Sequence, residues 1–175
     1  MSTLALMAAL AMFGGCATMH HLGLWSDGGF DSFHGVSFGD SYYDVRTRFP
    51  GAQPQTSPYG AEALLLSNIG DAGVHYDSVV YEFTYRGGMQ LVMARFSASS
   101  TATLYNELLQ AFGRPGEGGA TASMPPCKSH LQWQFRGGET VSFNGPERRL
   151  ILLGPGGKPL KQDVELREQS ALYGA

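Results

Sequence analysis

The segment Phe83-Thr84-Tyr85-Arg86-Gly87-Gly88 returns fifty residues later as Trp133-Gln134-Phe135-Arg136-Gly137-Gly138. In each copy an aromatic, polar, aromatic alternation enters an Arg-Gly-Gly turn, and Leu91 and Val141 hold equivalent places in the stretch that follows. Bulky residues at every second position mark a strand with one buried face, and paired glycines supply the positive φ that a tight turn needs. The repeat predicts two antiparallel hairpins, one in each half of the chain. Along them Tyr81, Phe83, Tyr85, Trp133 and Phe135 are mostly core.

A helix is expected ahead of each hairpin. The first opens at Asp40 or Ser41 and runs to Phe49, with Ser41 as cap, Asp44 near the positive helix end, and Pro50-Gly51 as the stop. The second runs from about Thr101 to Phe112, carries Leu104, Tyr105, Leu108, Leu109 and Phe112 on a broad stripe, and ends at Gly113 and Pro115. Tyr42, Asp44, Val45 and Phe49 align with Tyr105, Glu107, Leu108 and Phe112 at an offset of 63. The longer path in the first half leaves room for an extra strand around Ala61 to Ser67, and Arg148 to Leu153 supplies a strand closing the second. The expected fold class is α+β: two similar helix-then-antiparallel-hairpin units packed as one small domain over residues 36–153, with halves of about 36–98 and 99–153.

Residues Thr3 to Phe13 are an uncharged apolar run of eleven. That is too short to span a ~30 Å hydrocarbon core but suits the apolar region of a secretory signal. Phe13-Gly14-Gly15-Cys16 follows, a bulky apolar residue and two small ones before a cysteine. This resembles the bacterial lipoprotein signal, although Phe13 stands where leucine is usual and no Lys or Arg precedes the run. The resemblance implies cleavage after residue 15, lipid (diacylglycerol, with an acyl chain such as palmitate) on Cys16, and a cell-envelope location. Ala17 in place of aspartate leans towards the outer membrane, facing the periplasm. Residues 16–35 then read as lipidated cysteine and tether, with Trp25, Phe30 and Phe33 docking back onto the domain, and 154–175 as a carboxyl tail with a possible short helix from Leu160 to Tyr173.

Behind such a signal, the turn Phe38-Gly39-Asp40-Ser41, the helix end Phe112-Gly113-Arg114-Pro115 and the hairpins after each helix are similar to the small outer-membrane assembly lipoproteins and the tandem β-lactamase inhibitor proteins. The resemblance spans about residues 36–153 and carries over no binding residue.

Charged residues make up 15% of the chain, the net charge is −3, and Lys and Arg are scattered. A nucleic-acid partner is therefore excluded, since counterion displacement needs a basic footprint. His20 and His21 are adjacent and point apart on an extended chain, and His34, His75 and His130 have no helical partner, so no metal or other cofactor is expected. Asp71, Asp77 and Glu82 form no acid pair, and Ser41 and Ser142 lack a nucleophile setting. Cys127 reads as a structurally inert thiol or, second, as a disulfide partner of an uncleaved or unlipidated Cys16. Arg86 and Arg136, at equivalent turn positions, are the candidate partner contacts. The expectation is a non-catalytic lipoprotein, not an enzyme, held to the membrane through Cys16 and binding another envelope protein through its sheet or loops. Alternatives are an inhibitor of a hydrolase with a protruding loop at Gly113 to Pro126, and a metal-dependent enzyme using His75 and His130.

Overall fold

Alternation along the chain is realised as nine strands, in a computed structural model that describes residues 32–56, 61–71, 73–84, 88–115 and 124–155. Strands β1 (Ser32–Phe33) and β2 (Val36–Ser37) make a small hairpin. Helix α1 (Tyr42–Arg48) follows, then β3 (Gln53–Thr56), β4 (Glu62–Asp71), β5 (Val74–Phe83) and β6 (Met89–Phe96). Helix α2 (Thr101–Phe112) leads to β7 (His130–Gln134), β8 (Thr140–Asn144) and β9 (Arg149–Leu153). The last seven strands form one antiparallel sheet in the order β3-β4-β5-β6-β9-β8-β7.

This corrects the expected α+β arrangement of two helix-and-hairpin units. Strands take up 49% of the described residues and helices 23%, so the fold is mostly antiparallel sheet. The cause lies in the first half. The extra strand expected around Ala61 to Ser67 is a ten-residue β4, paired with an equally long β5. The run Val79-Val80-Tyr81-Glu82-Phe83 is buried along its whole length, on both faces of the sheet. Such a strand loses its polar alternation, and with it the signal that announces it.

Both helices start and stop where their residues direct. Ser41 accepts from the Asp44 amide at 3.2 Å while the Asp44 carboxylate accepts from the Ser41 amide at 3.1 Å, a reciprocal cap on α1. Helix α2 ends on Gly113 at φ 69. Val45, Leu104 and Leu108 bury against alternate strand residues, among them Leu64, Tyr81, Val92, Leu152, Val141 and Trp133. Aromatic rings fasten the contact: Phe49 stacks on Tyr81 at 6.1 Å, Tyr105 meets Phe143 edge-on at 5.7 Å, and Phe112 lies 5.7 Å from Trp133. One face of the sheet thus carries both helices and the core. Phe33, expected to dock from the tether, is fully buried against Tyr76 and Tyr81, so the ordered body begins at least as early as Ser32.

The signal at residues 1–15, Cys16, Trp25, Phe30, Tyr85, Arg86 and the tail from residue 156 lie outside the described residues. Among the described residues no helix is long and apolar enough to cross a membrane.

Candidate functional site

On the face without helices, strand registers align side chains in rows. One row reads Gln53, Leu65, Val80, Met93, Ile151, Ser142, Gln132; the next reads Gln55, Ala63, Glu82, Leu91, Leu153, Thr140, Gln134. Both change character along their length. Ala63, Val80, Leu91 and Ile151 are buried, whereas Gln132, Gln134 and His130 on β7 are exposed and their neighbours on β8 half-exposed. The solvent-facing parts of this surface are therefore its two polar ends, Gln53 and Gln55 on β3 and the polar stretch on β7 and β8.

Strand β7 is an outer edge, and its hydrogen-bond phase follows from the turn that ends it. The Phe135 amide donates to the Glu139 carbonyl at 3.0 Å, and the Gly138 amide, on a residue at φ 93, donates to the Phe135 carbonyl at 3.0 Å. At the other end the Gly145 amide donates to the Ser129 carbonyl at 2.9 Å. Residues 129, 131, 133 and 135 thus direct their backbone groups towards β8, and His130, Gln132 and Gln134 direct theirs outward. The strand is held from within. The Trp133 indole donates to the Gly113 carbonyl at 3.0 Å, and Ser129 Oγ donates to the Pro125 carbonyl at 3.0 Å. Arg136, one of the two arginines singled out by the repeat, is exposed in the turn. The Glu139 carboxylate folds back over Gly137.

A second polar cluster sits under the β1–β2 hairpin. His34 occupies its tip at φ 52, a left-handed conformation costly for a residue with a side chain. Its ring stands edge-on to Phe33 at 4.3 Å and to Tyr76 at 5.3 Å, and Nδ1 lies 3.7 Å from an Asp71 carboxylate oxygen. His34 Nε2 and the Tyr76 hydroxyl are both buried with no hydrogen-bond partner. Burial lowers the His34 pKa against the opposing pull of Asp71. Burial, reinforced by the carboxylates of Glu107 and Asp71, holds the Tyr76 phenol well above its ordinary value. His34 Nε2 and the Tyr76 phenol are closed to solvent, and the ring contacts fasten the hairpin to β5.

The remaining candidates are dispersed. His75 on β5 and His130 on β7 stand four strand spacings apart, about 19 Å at ~4.8 Å per strand, which removes the shared metal site considered from sequence. Among the described residues no group of three His, Cys, Asp or Glu is placed to hold a metal ion. Cys127 is a free, exposed thiol in a single 3-10 turn at Pro126–Lys128. Residues 116–123 of the proposed inhibitory loop lie outside the described residues. The open β7 edge was missed in sequence because its alternation shows that one face is buried and says nothing of whether a strand lies on each side. Comparison with protein-family models, with curated proteins and with solved structures gives no match.

Proposed function

We propose that the chain is a non-catalytic lipoprotein of the cell envelope, held in the outer membrane by lipid on Cys16 and facing the periplasm, where its sheet binds another envelope protein. The observation that supports binding is the unequal finish of the sheet. One face is closed by two helices, while the other leaves polar side chains accessible at both ends, and of the two outer edges β7 is the longer and carries no proline. Arg136 stands at the end of that edge. Several acyl chains at Cys16, each buried methylene contributing ~0.8 kcal/mol, make the tether stable where a single chain would hold only marginally.

Intact mass and membrane partitioning of the wild type and of Cys16→Ser test the anchor. The reading requires acyl mass on the wild type, and loss of that mass with release from the membrane in the variant. Equal mass gain and equal partitioning in both proteins would remove it.

A further inference from the structure

The two edges of the sheet differ. Strand β3 has four residues and includes Pro54, which has no amide hydrogen to offer and blunts the edge. Strand β7 has five residues, no proline and no break in its register with β8. His130, Gln132 and Gln134 each turn an N–H and a C=O away from the sheet, at ~6.8 Å intervals, and no described strand meets them. Unprotected edges of this kind template the addition of another strand. The inner side of β7 is fixed by Trp133, Ser129 and the Phe135–Glu139 turn, so little ordering entropy remains to be lost when a strand is added.

Charge identifies the incoming strand. Exposed Lys128 precedes β7 and exposed Arg136 follows it, while the Glu139 carboxylate is folded over Gly137 and the Glu147 carboxylate, in the turn after β8, pairs with Arg149 at 3.5 Å. A second copy of the chain, paired antiparallel so that all three outward residues bond, centres on Gln132 and sets Arg136 of each copy opposite Lys128 of the other. Like charges placed directly across a strand pair repel. We infer that β7 accepts an extended segment of a partner protein as an eighth strand, through the outward backbone groups of His130, Gln132 and Gln134, and that this segment carries carboxylates at both ends. The inference rests on the binding function proposed above and names its place and chemistry.

Residue-resolved amide exchange of the full-length chain in detergent tests it independently of the anchor. The probe is a synthetic ten-residue peptide of alternating Thr and Val bounded by two Glu at each end, with a Lys-bounded peptide as control. The Glu peptide is expected to slow exchange at His130, Gln132 and Gln134 by about tenfold or more, and the Lys peptide to leave it unchanged. Gln132→Pro removes an outward donor and should abolish the effect while Leu131 and Trp133 stay protected. Lys128→Glu combined with Arg136→Glu leaves every backbone group in place and should exchange the peptide preference. Unaltered exchange with the Glu peptide, equal protection by both peptides, or protection that rises with protein concentration in the absence of peptide would each overturn the inference.

Discussion

Tyr76 and Tyr81 lie on one strand, both essentially excluded from solvent, and removal of their hydroxyls should act in opposite directions. The Tyr76 hydroxyl has no hydrogen-bond partner. Burying a hydroxyl unmet costs about 1–3 kcal/mol, whereas the oxygen's own dispersion contacts return roughly 0.5–1 kcal/mol. Tyr76→Phe should therefore stabilise the fold by about 1 kcal/mol. The Tyr81 hydroxyl donates to the Phe33 carbonyl at 3.4 Å, a long bond that the variant loses. Tyr81→Phe should cost about 1 kcal/mol. For a domain of this size each change corresponds to about 3–6 °C in Tm, upward for Tyr76→Phe and downward for Tyr81→Phe. Urea denaturation with matched m-values, supported by thermal melts, separates the two variants. A Tyr76→Phe protein less stable than the wild type by 1 kcal/mol or more would refute the orphaned hydroxyl and the packing built around it.

Three further outcomes follow from local geometry. Because burial lowers the folded-state pKa of His34, its proton is held less well in the native protein than in the unfolded chain. Its contribution to stability is complete above the unfolded pKa of about 6.5 and declines as pH falls through the lower folded value; His34→Asn should flatten that part of the pH–stability profile. Ser41→Ala removes the reciprocal cap and should destabilise by ~1 kcal/mol, read as lost helicity and a lower denaturation midpoint. Gly145→Ala would drive a methyl group into the Pro126 carbonyl, so it should destabilise by roughly 2 kcal/mol or more and loosen the start of β7 in amide exchange, whereas Gly51→Ala meets nothing and should leave β7 unaffected.

Local signals in the sequence were legible where one residue settles one choice. Ser41 with Asp44 marks the start of α1, Gly113 marks the end of α2, and the aromatic alternation into Arg136-Gly137-Gly138 marks the β7–β8 hairpin. What escaped depends on neighbours. The long β4–β5 pair passes through Asn68, Gly70 and Asp71, residues that usually end strands: Asn68 is skipped in the register at φ 57, and Ile69 to Asp71 then resume pairing with Val74 to Tyr76. Burial of His34 follows from Phe33 and Tyr76, far apart in the chain. The edge at β7 exists only because the chain returns through β9 to pair with β6, leaving β7 outermost. No window of sequence contains that outcome.

Site-specific photo-crosslinking in the native envelope, with the reactive group at Gln132, tests most directly the claim that an anchored sheet binds a protein at this edge. A discrete adduct in the membrane fraction is predicted from Gln132 and not from Thr47 on the outer side of α1, and it should disappear when Lys128→Glu and Arg136→Glu are introduced together. Adducts of equal yield from both positions, or none from Gln132 while the protein remains membrane-bound, would contradict it.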